Sequence, residues 1–477
     1  MRVKLATRNL QLLINSFKIL NETTLTNIKT TTMNKIKYIL SIALLTTGTA
    51  FSQELSLDSC KSLALQNNRE LKNAQFELEA SKQVKKEAFT KYFPTVRADA
   101  FAMRATDYMI KQDIPQMNLP VYDGNPMNLL NPTQFAYFPG MEIKALDYTN
   151  VGTVTAVQPI FAGGRIYNGN KLAELGVELN EDRLQSSSED VLLQTESYYW
   201  QIVTLKEKRE TLNNYQKLLE NLYKDVSISY EAGLLQKSDL LKVQLKLNEL
   251  KANKLKLENG IVLSKMAFCQ HLGIEYKETF DIADSLGLNE IPELVYTNYN
   301  EALLNRNEYA MLNKAVEAEE IRKKIAIGEN LPQVSVGVQG LYLDMFEQQN
   351  THGILFATVS IPISGWWGSA HKIKEQKIKM EMAQNNLTQK SELMLLQMEK
   401  SFKDLNESFQ QISIAESSVL QAKEHLKVID DYYKAGVVST SDLLEAQLML
   451  SQAENQLVEA KFDYKIKLLV YKKAIAN

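Results

Sequence analysis

The chain is written twice, and nothing else in it constrains the fold as strongly. Tyr230-Glu-Ala-Gly233-Leu-Leu-Gln-Lys-Ser238-Asp239-Leu240-Leu241-Lys-Val-Gln244 returns as Tyr433-Lys-Ala-Gly436-Val-Val-Ser-Thr-Ser441-Asp442-Leu443-Leu444-Glu-Ala-Gln447, ungapped at an offset of 203. The same offset carries Pro159 to Pro362, where Gln158-Pro-Ile-Phe-Ala-Gly-Gly-Arg165 meets Ile361-Pro-Ile-Ser-Gly-Trp-Trp-Gly368. Earlier, Ala64 to Pro94 maps on Ala302 to Pro332 at an offset of 238, aligning Glu70 with Glu308 and Ala80 with Ala318. The halves therefore differ by 35 residues between their paired prolines, with the longer insert in the first. Self-similarity of this kind marks a fold built from repeated units.

Each half reads helix, strand, loop, strand, long helix, turn, helix. The first helix is expected over Leu57–Lys91 and again over Tyr299–Glu329, each stopped by proline, which lacks the N–H and clashes with the preceding turn. Val96, Ala98 and Ala100 alternate with Arg97, Asp99 and Phe101, and Val334, Val336 and Val338 alternate with Ser335, Gly337 and Gln339. Period two with one apolar face predicts half-exposed strands. Returning strands are expected at Val151–Gln158 and Ile354–Ile361. The first strand-to-strand loop holds Pro115, Pro120, Pro126, Pro132 and Pro139 with Tyr108, Tyr122, Phe135, Tyr137 and Phe138. Those prolines predict an irregular loop, either partner-facing or an inert surface insert.

The helices after the second strand are unusually long. Gly169 to Ala232 is interrupted only by Gly176, and Ser369 to Ala435 by no Gly or Pro. At 1.5 Å per residue the former spans about 95 Å. Beyond the first turn, Leu241, Leu245, Asn248, Ala252, Leu255, Asn259 and Val262 step by four and three. Leu240, Val243, Leu247, Leu250, Lys254, Leu257 and Ile261 do the same one residue out. Heptad spacing implies left-handed supercoiling. Two adjacent seams suit either a ring of helices or an antiparallel bundle with a broad core face.

The start of the chain is different. Seven of the 54 Lys and Arg precede Gln53, against one acid, Glu22, so the chain from Gln53 onward is net acidic at −9. An acidic chain without a basic cluster argues against nucleic-acid binding. Met33-Asn34-Lys35-Ile36-Lys37, the apolar run Tyr38 to Leu45 and the small residues Ala50 and Ser52 compose a secretory signal ending before Gln53. Met33 is the expected true start, and Gln53 rather than Cys offers no lipid anchor there. No later window supplies about 18 uninterrupted apolar residues, so entry into a membrane requires a closed barrel. Cys60 and Cys269 lie far apart and are read as buried thiols.

These observations give a mainly α fold with a small β part, made of duplicated strand and long-helix halves. The expected organisation is residues 1–52 as extension and signal, 53–290 as the first repeat and 291–477 as the second. The hairpins fall at about 95–158 and 333–361, and the coiled helices at about 165–272 and 368–475. Four strands per chain cannot stand open in lipid. Three chains give twelve strands, an allowed even number, whereas two give eight, whose side chains nearly fill the interior.

Together these features resemble the TolC family of outer-membrane efflux proteins. The resemblance covers nearly all of Gln53–Asn477. Its carriers are the duplicated halves, Pro94, Pro159, Pro332 and Pro362 where helix meets strand, and the Tyr-x-Ala-Gly…Ser-Asp-Leu-Leu tips. It implies a homotrimer in outer-membrane lipid, with a twelve-stranded β-barrel continued by a periplasmic α-helical barrel. It implies the channel of a tripartite efflux or type I secretion system, opened by a periplasmic membrane-fusion adaptor and an inner-membrane transporter. By motif position Asp442 and Glu445 resemble a ring of lumen carboxylates. Asp239 and Tyr433, with its first-half counterpart Tyr230, resemble the polar network that holds the entrance shut. This chain has Val438 where family members carry an arginine. Independently of any gate, Gly233 and Gly436 fit left-handed helix ends, and Ser238 and Ser441 fit the caps of the following helices.

No catalytic constellation is present in the sequence. His271, His352, His371 and His425 are scattered, and Gly163-Gly164-Arg165 lacks the rest of a phosphate loop. Neither cofactor nor metal is expected. The rival class is a secreted periplasmic coiled-coil scaffold or adaptor without a pore.

Overall fold

A computed structural model describes residues 55–283, 285–287, 290–346 and 348–476, without the side chains of 128 and 129. The signal segment and Met33 lie outside the described residues. A small unit of Leu55 with Lys277–Ala283 is held by a parallel bridge between Leu55 and Ile282. Everything below concerns the larger unit.

Its helices are α1 (Leu57–Asn67), α2 (Arg69–Thr90), α3 (Arg165–Glu231), α4 (Lys237–Leu272), α5 (Pro292–Val295), α6 (Tyr299–Asn305), α7 (Asn307–Gly328), α8 (Trp366–Lys434) and α9 (Thr440–Ala474). The strands are β1 (Thr95–Arg104), β2 (Ile110–Ile114), β3 (Met117–Pro120), β4 (Phe135–Phe138), β5 (Met141–Ala145), β6 (Tyr148–Phe161), β7 (Gln333–Met345) and β8 (Gln348–Ser360). α3 and α8 run for 67 and 69 residues, about 100 Å each at 1.5 Å per residue.

β1, β6, β7 and β8 form one antiparallel sheet in that order. The helices keep the same order. α3 carries α2 and α4 on one side and α7 and α9 on the other, and α8 closes the far side against α7 and α9. Sheet and helix layer therefore end at the same two flanks, β1 with α2 and α4 at one and β8 with α8 at the other. Between the hairpins, Lys208 bonds Glu459 at 2.5 Å and the Lys465 ammonium sits 4.8 Å over the Trp200 ring.

Several expectations are corrected. The first helix of each half is broken, at Asn68 and at Arg306, which are counterparts at offset 238. The Asn68 carboxamide oxygen accepts from the Glu70 and Leu71 amides at 2.8 and 3.1 Å, restarting the helix as an N-cap. Arg306, only 6% exposed, instead forks onto both oxygens of Glu308 at 3.2 and 3.0 Å. The first loop is largely regular. β2 pairs with β5 and β3 with β4, extending the β1–β6 hairpin as two ribbons. Its prolines fall where no strand N–H is required. Pro115 and Pro139 lie between the ribbons, Pro126 opens a 3₁₀ turn, and Pro120 ends β3. Pro159 does not end its strand but lies inside β6 at a register shift between Pro159 and Phe161, the bulge position a residue without a donor tolerates.

Cys60 and Cys269 are both buried and not joined, and burial pushes the Cys269 thiol up to about 11. Nearby, the Asn68 amide nitrogen approaches His271 Nδ1 at 3.4 Å, while Nε2 lies 3.0 Å from the Thr195 hydroxyl and 3.3 Å from the Val191 carbonyl. The contact ties the end of α4 to the α1–α2 break.

Candidate functional site

Pairing in the sheet sorts its side chains onto two unlike faces. Val96, Ala98, Val154, Ala156, Val336, Val338, Leu355 and Val359 share one. Arg97, Asp99, Thr153, Thr155, Ser335, Gln339 and Thr358 lie on the other, a mixed face that also carries Phe101, Val151, Val157, Leu341, Ile354 and Phe356. The apolar face is open, with Val338 53% and Leu355 81% exposed. In water such a face needs a covering layer. In lipid it needs none, and alternation of apolar-out and polar-in is the pattern of a membrane barrel. The strands of 10, 14, 13 and 13 residues meet the 9–11 residues that a tilted membrane strand requires. Among the described residues no helix is long and apolar enough to cross a membrane.

Exposed aromatics mark the end of the sheet where the helices begin. Tyr92, Phe93, Phe161, Trp366 and Trp367 cluster at the junctions around Pro94, Pro159 and Pro362, and such residues favour the membrane–water interface. Gly163, at φ 64°, makes the turn into α3 close-packed. A Cβ there would lie 2.1 Å from the Gly328 carbonyl oxygen, four residues before Pro332. The Gly-Gly-Arg sequence thus serves a strand-to-helix turn.

The opposite ends of the long helices form two similar tips. Gly233 and Gly436 take φ 73° and 72°. Leu234 donates to the Ser229 carbonyl and Val437 to the Tyr432 carbonyl, both at 2.9 Å, so each tip closes as a left-handed helix end. The caps are not the expected serines. α9 begins from Ser439, whose hydroxyl accepts from the Asp442 amide at 3.3 Å while Asp442 Oδ2 accepts from the Ser439 amide at 2.8 Å. This is a capping box, with the acid three residues into the helix. Its hydrogen bonds from the Ser439 side chain and then the backbone hold the Asp442 carboxyl below its usual range. α4 begins from Gln236 without a side-chain cap, and Ser238 donates to Gln236 Oε1 at 3.4 Å.

Ser441 is thereby released for another contact. It accepts from Lys242 Nζ at 3.0 Å, and the same ammonium lies 3.3 Å from Asp239. Lys242, the counterpart of Glu445, thus bonds across from the first hairpin to the second. Lys242, Ser441 and the exposed Glu445 line one cavity of about 360 Å³. Asp239 and Tyr433 meet instead in a groove of about 1020 Å³ between the ends of α3 and α8, which Val438 also lines. Tyr230 stands apart at 38% exposure. Two groups that the sequence did not single out face this groove. Thr440 Oγ1 and Gln447 Oε1 are buried without a hydrogen-bond partner among the described residues. Only their place beside the tip motif could have drawn attention to them.

A family model described as outer membrane efflux protein matches residues 61–273 and 298–475. The chain belongs to that family, the TolC family of outer-membrane channels. Its relatives include the alkaline protease secretion protein AprF of Pseudomonas aeruginosa, 22% identical over 67% of this chain and 68% of AprF. Outer membrane protein TolC of Salmonella enteritidis is 22% identical over 65% and 66% of the two chains. In fold, the chain is similar to the outer-membrane channel OprN, at a TM-score of 0.71 and 13% identity over 88% and 89% of the two chains. It is likewise similar to the open-state MtrE channel of Neisseria gonorrhoeae, at 0.69 and 14% over 88% and 89%. This TolC-family protein is an outer-membrane channel component extending into the periplasm.

Proposed function

We propose that three copies of this chain close into a passive export duct, with twelve strands in the outer membrane and a ring of helices below. The matching flanks carry the reading. β1 and β8 leave unpaired edges, which lipid does not tolerate, and α4 and α8 leave apolar faces at the same two flanks. Leu241, Leu245 and Leu255, on one of the two heptad seams, are 52%, 59% and 69% exposed. Leu444, the counterpart of Leu241, is buried at 7% because α9 has neighbours on both sides. A head-to-tail contact that supplies α4 with the next chain's α8 gives both hairpins the same surroundings, and such a contact closes into a ring.

The tips form the periplasmic entrance in this reading, with Asp239, Tyr433 and Tyr230 in the closing network and Asp442 and Glu445 facing the lumen. The tip groove, with Thr440 and Gln447 in need of partners, receives the periplasmic adaptor, and an inner-membrane transporter chooses the cargo. The test is conductance in a planar bilayer together with native mass in detergent. A conducting trimer is expected. A protein soluble without detergent and silent in the bilayer would establish the scaffold reading instead. Divalent cations are expected to impede current, less so in Asp442→Asn with Glu445→Gln, and an unchanged block in that variant removes the lumen assignment.

A further inference from the structure

The two ribbons that extend the first hairpin have no counterpart in the second half, and their surfaces are unlike. In β2–β5, Lys111 faces Lys144 and Asp113 faces Glu142 on one side. Three of these four charges are satisfied locally, by the Lys111–Asp107 and Lys144–Glu142 ion pairs. The other side carries Ile110, Ile114, Met141, Ile143 and Ala145, with Gln112 as its one polar member. In β3–β4, Met117 and Leu119 share a face with Phe138 and Ala136. Ile110, Leu119, Met141 and Ile143 are each more than two fifths exposed. Beyond their own partner strands, the ribbons pack substantially on no other element among the described residues. An isolated two-stranded ribbon is marginal in water, and one with a bare apolar face needs a partner.

Lipid is not the occupant that the geometry favours. The strands of the four-stranded sheet already have membrane-spanning length without the ribbons. The reach of the ribbons points elsewhere. A barrel of twelve strands about 4.8 Å apart and tilted about 40° is roughly 24 Å across. Ile110 to Pro120 spans about 36 Å at about 3.3 Å per residue. Laid end to end the two ribbons are longer than the mouth is wide, whereas each alone is shorter. They leave the sheet after β1, the flank at which neighbouring copies meet.

Resting on the trimeric duct reading, we infer that the ribbons of three copies lean over the mouth and pack their apolar faces on one another as an outer lid. The charged face then stays in water and the apolar face is covered by two copies of itself. This gives the duct a second constriction, at the end opposite the helical tips, built from the segment in which the halves are unequal.

The test uses the full chain as reconstituted trimer. Leu119→Cys should form disulfide-linked pairs between copies under mild oxidant at least five times faster than Lys111→Cys on the charged face. Cys60 and Cys269 are buried and serve as the background control. Replacing residues 107–146 by a short turn should raise single-channel conductance several-fold. A conducting trimer in which the two cysteine variants cross-link alike, or whose ribbon deletion conducts as before, would overturn the lid alone. Protection of the cysteine at 119 only when lipopolysaccharide vesicles are added would assign the face to lipid and equally overturn it. A monomeric mass would overturn the duct and the lid together.

Discussion

Replacing Leu241, Leu245 and Leu255 by serine together should dissociate the trimer while leaving each chain folded. Burying a leucine fully contributes roughly 1.5–3 kcal/mol. With half to two thirds of each side chain still exposed, each of the three has about 1–2 kcal/mol to gain at a neighbour. The triple variant thus weakens each interface by about 3–6 kcal/mol, or roughly 100- to 10000-fold at about 1.4 kcal/mol per tenfold. Three such interfaces close the ring. Native mass in detergent, read across a dilution series, should shift from trimer to monomer, with helical circular dichroism retained. Leu444→Ser is the control. That side chain is buried within the chain at 7% exposure, so the substitution should lower the melting of the chain itself by about 2–4 kcal/mol. If the triple variant stays trimeric over the same dilutions, the exposed seam of α4 is not the closing surface. If it unfolds as Leu444→Ser does, the seam belongs to the core of the single chain.

Other outcomes follow from local geometry. Gly163→Ala should destabilise by about 3 kcal/mol or more, since alanine at φ 64° costs about 1–2 kcal/mol and its Cβ meets the Gly328 carbonyl oxygen at 2.1 Å. Gly176→Ala, in open space within α3, should raise stability by about 0.5–1 kcal/mol in the same thermal melts. Ser439→Ala should cost about 1 kcal/mol and speed amide exchange at the start of α9 more than Ser441→Ala. Burial holds the His271 pKa below its usual value, and protonation would aim a second N–H at the Asn68 amide nitrogen. The unfolded chain then takes the proton first. Stability should be full above about pH 6.5 and decline as pH falls from there to the lower folded pKa. Denaturant titrations of His271→Gln should lack that slope.

Much of the fold is legible because repetition multiplies weak signals. A single proline or Ala-Gly tip carries little, but the same order twice fixes the long helices and the strands between them. The breaks at Asn68 and Arg306 escape because neither uses glycine or proline. One depends on a carboxamide turning back on its own amides, the other on a buried arginine finding Glu308 two residues on. The ribbons escape because five prolines resemble disorder until each is seen at a position without a ladder donor. At the tips, Ser-Asp looks like a cap, yet the helix begins two residues earlier, where Ser439 and Asp442 satisfy each other. Heptad spacing reveals two seams on α4 but not which one the chain itself covers, because that depends on the order of the helices.

The same order explains how two copies of one pattern serve unequal surroundings. α4 and α9 share their seams, but α9 packs along two neighbours within the chain, whereas α4 would find its second full neighbour in the next copy of the proposed ring. In that arrangement the sequence has to suit a contact within one chain and a contact between copies with nearly the same side chains, which permits few changes where the helices touch. In the proposed duct, freedom remains where side chains face the entrance. There Lys242 stands against Glu445, and in a ring of six sectors the two would alternate. Opposite charges side by side attract, whereas six equal charges would repel across a shared axis. With the Asp442 carboxylate already engaged by Ser439, an alternating ring closes at less electrostatic cost than a uniform one. The Lys242–Ser441 bond then supplies, from the first hairpin, a cationic link between tips that Val438 does not provide from the second.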